Sequence, residues 1–222
     1  YKIVTLKDGR TWMAENLRYI PAGKTVSSDF AADADGIWYP LAPSYDEAAA
    51  KYVAVVSTDE AVIASNGYLY SFAAAMQVDA ITEENSATFE GKQGICPDGW
   101  HIPSEAELNA LIAAYPLPDD ATKASMADLA AAEFPCVLSG MRMKNTSAAN
   151  GAVSGACYQD HIMGGYLMSS TKNSYTVNDK TQAVTSQNKT LMFMSNASNT
   201  NGRISNASNL GGVPVRCIKD KQ

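Results

Sequence analysis

The clearest periodic pattern of apolar residues in the chain follows Pro103. Four large apolar side chains recur there at intervals of three and four residues: Leu108, Leu111, Ile112 and Tyr115. This spacing predicts a helix with one buried face. Ser104 and Glu107 have the spacing of a capping box, which satisfies the free backbone N–H groups where a helix begins. Pro116 and Pro118 end the pattern.

Three other segments show weaker helical patterns: residues 44–56, 68–76 and 122–133. In the first, Ser44 can cap a helix, Glu47 follows three residues later and alanines fill the first turns. In the second, Phe72 and Met76 lie on one helical face. In the third, the pattern ends before Pro135. We therefore predict a helix in each segment.

Strands are predicted near both ends of the chain. Residues 2–6 and 11–17 flank an Asp-Gly turn, which is a strong hairpin signal. Further short strands are predicted in the last part of the chain: residues 136–138, 166–170, 191–194, 203–204 and 213–218. Residues 21–43 and 80–92 are predicted to form loops. Helices followed by a strand-rich second half indicate an α+β fold.

Composition narrows the class of protein. A hydrophobic content of 46% and a charged content of 18% indicate a globular protein with a buried core, which we assign to a single domain, 1–222. The net charge of -6, without clustered Lys and Arg, argues against a nucleic-acid partner. The longest apolar runs are too short to span a bilayer. The chain opens on Tyr1 in strand-like sequence, as it would after removal of an export leader.

The cysteines indicate an oxidising compartment. Cys96, Cys136, Cys157 and Cys217 lie far apart and form no C-x-x-C pair, so we do not expect a zinc site. An even number of cysteines in a turn-rich chain favours two disulfides. Three pairings are open, and the preferred one joins Cys96 to Cys217 and Cys136 to Cys157. Four buried free thiols are the alternative.

Five blocks of sequence occur in order along the chain: residues 12–17, 67–76, 96–104, 169–171 and 215–217. Together they resemble the Fibrobacter succinogenes major paralogous domain. The resemblance implies a C-type-lectin-like fold of short helices and small antiparallel sheets, with paired N- and C-terminal strands and long loops. It also implies an exported protein of Bacteroidetes or Fibrobacteres, attached to a lipoprotein or pilus-like module. Met168 stands where the family often has an aromatic residue, and Cys136 and Cys157 are additional to its pattern.

Residues of the kinds used in catalysis lack the partners that a reaction requires. His101 has no Cys, Asp or second His placed near it by spacing and is expected in the core, while His161 follows Asp160 without a nucleophile. Trp100 is expected to bury its ring beneath the preceding turn. Arg216 is expected at the surface or in an ion pair. We therefore predict no catalytic residue and no cofactor.

Residues 33–36, Asp-Ala-Asp-Gly, resemble part of a cation-binding loop in their closely spaced aspartates and following glycine. The 12-residue calcium pattern nevertheless fails, because Ala31 and Ala42 occupy its first and last ligand positions. The tripeptides Glu-Pro-Asn, Gln-Pro-Asp and Trp-Asn-Asp of calcium-dependent lectins are also missing from the sequence. We predict a solvated acidic loop and no metal site.

The late part of the chain is rich in asparagine and is the candidate binding surface. The sequence Ser-Asn-Ala-Ser-Asn at 195–199 recurs at 205–209. Amide side chains both donate and accept hydrogen bonds, which suits hydroxyl-rich or peptide ligands. The candidate ligand-binding residues are Asn173, Tyr175, Asn196, Asn199, Asn201, Arg203, Asn206 and Asn209. The alternative is that Asn and Ser only serve the turns between strands.

Three classes of function remain at this point. The leading one is a non-enzymatic binding or adhesion module at the cell surface that recognises an extracellular glycan or protein through its late loops. The second is a structural cap or tip domain of a surface fibre or lipoprotein assembly. The third is an enzyme like the formylglycine-generating enzymes, which share the general fold and need reactive cysteines. We expect no nucleic-acid partner and no direct membrane span.

Overall fold

Short helices and strands alternate along the first part of the chain, and long strands follow. The computed structural model describes residues 1–32, 35–143, 152–154, 157–180 and 184–221. Within the described residues, the helices are α1 (Glu60–Asn66), α2 (Phe72–Met76), α3 (Glu105–Ala114) and α4 (Met126–Ala131). The strands are β1 (Ile3–Thr5), β2 (Thr11–Met13), β3 (Ile37–Trp38), β4 (Leu41–Asp46), β5 (Lys51–Val56), β6 (Leu69–Tyr70), β7 (Trp100–His101), β8 (Pro116–Leu117), β9 (Asp120–Ala124), β10 (Met141–Met143), β11 (Ala152–Ser154), β12 (Cys157–Tyr158), β13 (His161–Ile162), β14 (Gly164–Val177), β15 (Val184–Ser195), β16 (Thr200–Ser208) and β17 (Ile218–Lys219).

The predicted pairing of the N- and C-terminal strands is confirmed. A four-stranded sheet has the order β1-β2-β17-β7, and Ile218 of β17 lies opposite Trp12 of β2 on one side and His101 of β7 on the other. β1 and β2 form the predicted hairpin around the Asp-Gly turn. The sheet therefore ties both ends of the sequence to its middle.

The largest sheet consists of five antiparallel strands in the order β14-β15-β16-β9-β8. Three of the predicted short strands lie inside its long strands. Leu167, Leu191 and Phe193 form one buried face, and Met168 is buried on the opposite face in a different hydrophobic cluster. α3 covers the first of these faces, with Leu108 and Leu111 fully buried in the same cluster. The mixed α/β character predicted from the sequence is present.

The helix predicted after Pro103 is confirmed, including its capping box. The backbone N–H of Glu107 donates to Ser104 Oγ at 3.3 Å, and the backbone N–H of Ser104 donates to Glu107 Oε2 at 2.9 Å. The helix ends at Ala114, and Tyr115 is buried behind it.

The helix predicted over residues 44–56 is wrong. This segment forms the β4–β5 hairpin, in which Tyr45 lies opposite Tyr52 with their ring centroids 5.2 Å apart. Aromatic and β-branched residues outweigh the helix propensity of the alanines, which instead form the turn, where Ala50 has a φ of 48°. α1, which Asp59 caps, was not predicted.

Other predicted elements also differ from the structure. Residues 68–76 divide into β6 and α2, with Ser71 as the cap between them. Residues 122–133 divide into the end of β9 and α4, with Ser125 as the cap. Residues 136–138 form no strand, and of residues 213–218 only Ile218 lies in one. The strand predicted over 11–17 ends at Met13, and the predicted loop 21–43 contains β3 and the start of β4. In each divided segment a serine side chain accepts a backbone hydrogen bond and so fixes where the helix begins.

A buried stretch, residues 211–218, passes through the middle of the molecule; we call it the central segment. Its carbonyl groups accept hydrogen bonds from elements distant in sequence: Val215 O from the N–H of Leu17 at 2.8 Å, and Pro214 O from the N–H of Met168 at 2.9 Å. Val213, Val215 and Cys217 also belong to the first of three hydrophobic clusters.

The expectation that Arg216 lies at the surface or in an ion pair is wrong. Its side chain is fully buried, and its guanidinium donates to Asn16 Oδ1 at 2.8 and 3.0 Å and to Pro135 O at 3.1 Å. The group also lies 4.4 Å from the ring of Phe134. Burial lowers the pKa of Arg216 to about 10. Neutral acceptors and an aromatic face hold this cation in place of a carboxylate.

One of the two predicted disulfides is confirmed. Cys96 and Cys217 are bonded, with their Cα atoms 5.9 Å apart. The predicted bond between Cys136 and Cys157 is wrong, because both residues are free thiols. The physical reason is their location: Cys136 packs against the cluster beneath α3, whereas Cys157 packs against a separate cluster around Trp38.

None of the helices in the described residues has the length and apolar content that crossing a membrane requires.

Candidate functional site

The structure does not bring all the predicted ligand-binding residues together. Asn173 and Tyr175 lie on β14, Arg203 and Asn206 on β16, and Asn209 follows β16. Asn196 and Asn199 lie at the β15–β16 turn, and Asn201 is the second residue of β16. About nine residues of β15 separate this turn from the end near Asn209, which corresponds to roughly 30 Å of strand. The candidates are therefore spread along the long sheet, with Asn196 and Asn199 at one end and Asn209 at the other.

The asparagines of the β15–β16 turn form hydrogen bonds that stabilise the turn. Asn196 Oδ1 accepts hydrogen bonds from the backbone N–H groups of Ser198 and Asn199, each at 2.9 Å. The backbone N–H of Asn196 donates to Asn199 O at 2.8 Å. This is the structural role that the sequence left open as the alternative. Asn201, next to the turn, is 4% exposed and faces inward.

A cavity of about 630 Å³ lies at the other end of the sheet. Its walls come from residues 21–24, from residues 35–38, from the stretch around α2 that ends at Ile81, and from the corner formed by Ser186, Asn209 and Leu210. Asn209 is the predicted binding residue that lines this cavity. Its volume is in the range of small-molecule sites.

One wall of the cavity is apolar and is held close to its neighbour by a glycine. Ala73 and Ala74 of α2 and Ile37 of β3 contribute its apolar lining. Gly36 has a φ of 72°, and a Cβ there would clash with Ser71 Oγ. Only glycine allows this conformation and approach, so Gly36 lets the start of β3 lie directly against α2.

The rim of the cavity is polar and charged. Lys24 Nζ lies 3.3 Å from Asp35 Oδ1, and the backbone N–H and hydroxyl of Thr25 donate to Asp35 Oδ2 at 2.8 and 3.0 Å. The hydrogen bond from the Thr25 backbone, followed by those from its side chain and Lys24, lowers the pKa of Asp35. Asp35 is therefore an ionised acceptor at the rim. Asp33, from the same acidic stretch, lies outside the described residues.

The inner wall carries a polar pair with unused hydrogen-bonding capacity. Asn209 Nδ2 donates to Ser186 Oγ at 2.6 Å. The backbone N–H of Asn209 donates to Ser186 O at 2.9 Å, and its carbonyl accepts from the N–H of Phe72 at 3.3 Å. Asn209 is 5% exposed, and its Oδ1 has no hydrogen-bond partner among the described residues. A buried polar atom without a partner destabilises a protein by about 1–3 kcal/mol and so calls for an explanation.

The cavity could not be found from a sequence motif. Its walls are contributed by stretches more than 100 residues apart, and Ser186, Lys24 and Ala73 belong to no recognisable pattern. Within the described residues, no cluster of His, Cys, Asp and Glu side chains has the arrangement of a metal site. The chemistry available to the cavity is therefore hydrogen bonding, charge at the rim and apolar contact.

A second group of titratable side chains surrounds His101 and fastens α3 to the terminal sheet. His101 Nδ1 lies 2.6 Å from Asp220 Oδ1, and its Nε2 lies 3.0 Å from Glu107 Oε2. Arg10 pairs with Glu107 Oε1 at 2.8 Å. The hydrogen bond with Glu107 raises the pKa of His101; burial opposes this shift, and the bond with Asp220 adds to it. Burial raises the pKa of Glu107, but hydrogen bonds from His101 and Ser104 lower it overall to about 2.

Trp100, expected beneath the preceding turn, is only half-buried and packs against the first hydrophobic cluster. The fully buried indole rings of the described residues belong to Trp12 and Trp38.

The chain matches no curated protein and no solved structure. The family resemblance drawn from the five sequence blocks is nevertheless confirmed, because the model of one family matches residues 8–219. This span contains the Cys96–Cys217 disulfide and every wall of the cavity. The chain belongs to the Fibrobacter succinogenes major domain family.

Proposed function

We propose that this protein is a non-enzymatic binding module that takes part of an extracellular ligand into the cavity beside α2. The observation that carries the proposal is a cavity of about 630 Å³ with apolar lining and a charged rim. Asn209 lines this cavity, and its buried amide oxygen has no hydrogen-bond partner among the described residues. Preformed cavities with apolar walls and a few polar groups are typical of ligand sites. The site therefore uses one end of the asparagine-rich segment, and the β15–β16 turn is not part of it.

The proposal includes a C-type-lectin-like fold and a location outside the cell. Paired terminal strands, small antiparallel sheets and long loops support the fold. The Cys96–Cys217 disulfide supports export, because such bonds persist in oxidising compartments. A surface lipoprotein or fibre is the assembly that would carry the domain, and a glycan or protein is the ligand that it would bind.

The free cysteines support a binding role over cysteine-based catalysis. Burial raises the pKa of the Cys136 thiol to about 12, and burial also raises the pKa of Cys157. A reactive cysteine needs the opposite shift, because the thiolate is the nucleophile. The two thiols also pack in different clusters, so they do not form a pair.

A variant that fills the cavity tests the proposal. Ala73→Phe places a ring against the apolar wall, and Ala110→Phe places the same ring on the exposed face of α3. Both variants and the parent are screened against glycans, mucin and matrix proteins, with calcium and with a chelator. We expect saturable binding by the parent and by Ala110→Phe, and its loss in Ala73→Phe. Equal binding by all three, or no binding by folded parent protein, would overturn the proposal and favour a structural cap or tip domain.

A further inference from the structure

We propose that the outer edge of β5 is an interaction surface that pairs with the same edge of a second copy of this chain. The edge offers free backbone hydrogen-bonding groups, and its sequence is complementary to itself in the antiparallel orientation. No residue of β5 is among the described residues that line the cavity, so the proposal goes beyond the proposed function and does not depend on it.

The hydrogen bonds around β4 and β5 show which backbone groups face away from this two-stranded sheet. Asn66 Nδ2 donates to Leu41 O at 2.9 Å, so the carbonyl group of Leu41 points away from β5. In an antiparallel pair, such outward positions recur at every second residue of both strands. On β5, the outward-facing residues are therefore Tyr52, Ala54 and Val56, which lie opposite the outward-facing residues of β4.

The outer edge of β4 is blocked, whereas that of β5 is open. Pro43 occupies an outward-facing position of β4 and has no N–H to donate. The backbone groups that Tyr52, Ala54 and Val56 turn outward have no hydrogen-bond partner among the described residues. Such an edge is a template for pairing with another strand, because a strand satisfies its whole row of donors and acceptors.

The other sheet edges in the described part of the chain are less suited to pairing. β1 and β8 have only three and two residues, and short edge strands resist pairing. β14 is longer, but the N–H groups of Met168 and Ser170 on its outer side already donate to carbonyl groups outside the sheet. β5 has six residues, and its Tyr52 and Val55 side chains are 37% and 39% exposed. It is therefore the edge that most needs a partner.

The sequence of β5 favours a second copy as this partner. When two copies run antiparallel about a two-fold axis at Ala54, Tyr52 of one copy lies opposite Val56 of the other. Between these positions, Val53 of one copy lies opposite Val55 of the other. Pairs of aromatic and β-branched residues stabilise antiparallel sheets, so each position on the edge meets a favourable neighbour.

Charge and size also fit such a dimer. Lys51 is the one charged residue of β5, and it falls opposite Ser57 of the second copy, so no like charges meet. The outward-facing residues of the two copies exchange backbone hydrogen bonds, and β4 and β5 of each copy join in one four-stranded sheet. A strand pair of this length buries less surface than an obligate interface, so we expect the dimer to form only at high protein concentration.

Sedimentation velocity over a range of protein concentrations tests the proposal with the parent, Ala54→Pro and Ala54→Ser. Proline removes an outward N–H and places its ring on the edge, whereas serine at the same position keeps the N–H. Circular dichroism and melting temperatures show whether each variant is folded. We expect the parent and Ala54→Ser to change from monomer to dimer as the concentration rises, and folded Ala54→Pro to remain monomeric.

Disulfide trapping tests the register without changing the backbone of the edge. Val53→Cys and Val55→Cys are introduced into separate copies that differ in mass and that also carry Cys136→Ala and Cys157→Ala. The proposed pairing places residue 53 opposite residue 55 at a Cα–Cα distance of about 4.5 Å, which a disulfide can span. We expect the oxidised mixture to give at least about fivefold more mixed dimer than either self-linked dimer, because only the mixed pair lies within this distance.

Three results would overturn the proposal. The first is a parent that stays monomeric at every concentration, since the edge would then need a different strand as its partner. The second is a dimer that folded Ala54→Pro still forms to the same extent as Ala54→Ser. The third is equal amounts of mixed and self-linked dimer after oxidation, which decides the question even if Ala54→Pro does not fold.

Discussion

The Cys96–Cys217 disulfide is predicted to supply a large part of the protein's resistance to unfolding. It joins the turn before β7 to the central segment, at a sequence separation of 121 residues. Closing a loop of that length lowers the entropy of the unfolded chain by an amount equivalent to about 5 kcal/mol. Replacing both residues with alanine removes the cross-link and leaves no lone thiol in the first cluster.

Equilibrium unfolding in urea measures this loss. With an m-value of about 2.5 kcal/mol/M, the midpoint of Cys96→Ala/Cys217→Ala should fall by about 2 M. The matched control is Cys136→Ala/Cys157→Ala, which removes two half-buried sulfur atoms and no cross-link, so its midpoint should fall by less than about 1 M. Equal midpoints for the two double variants would refute the reasoning. Four reactive thiols in the unreduced, urea-unfolded protein, instead of the two expected, would refute it equally.

Two further predictions concern local contacts. The hydrogen bond to Glu107 raises the pKa of His101, burial opposes this shift, and the hydrogen bond to Asp220 adds to it. Protonated His101 should therefore stabilise the folded protein fully below about pH 6.5, and this stabilisation should be lost as the pH rises through the raised pKa of the folded state. The urea midpoint of the parent should fall with rising pH in this window, and His101→Gln should show a flatter profile; identical profiles would contradict the assignment. Gly165→Ala would make a Cβ clash with the backbone carbonyl oxygen of Val137 and should destabilise the protein by about 3 kcal/mol or more, measured by thermal unfolding. Gly164→Ala, with no contact under 3.6 Å, should cost about 1 kcal/mol or less, and a similar loss in both variants would count against the close approach.

Elements with local signals could be predicted from the sequence. The start of α3 depends on Ser104 and Glu107, and the first hairpin depends on its Asp-Gly turn, so a few adjacent residues determine each. The β4–β5 hairpin was missed because alanines and a serine gave a helical signal. Tyr45 instead pairs with Tyr52 across the hairpin, and these two residues lie further apart in the sequence than one helical turn.

The cavity and the cysteine pairing depend on contacts that no local pattern contains. Asn209 was predicted as a binding residue from composition, but its partner Ser186 is 23 residues away and looks like any strand serine. Asn196 comes from the same repeat and serves a turn, because its position between two strands decides its role. Likewise, an even number of cysteines suggested two bonds, whereas packing places Cys136 and Cys157 in different clusters.

The central segment also constrains the order in which the protein folds. Residues 211–218 pair with β2 and β7 and bond to the backbone of Leu17 and Met168, so they join regions that are far apart in sequence. Such contacts form only after long loops have closed, which makes folding slow. Before this segment is synthesised, the earlier strands lack the neighbour that holds them together. We therefore expect native assembly to be a late, cooperative event, in which the earlier strands stay incomplete until residues 211–218 pair with them.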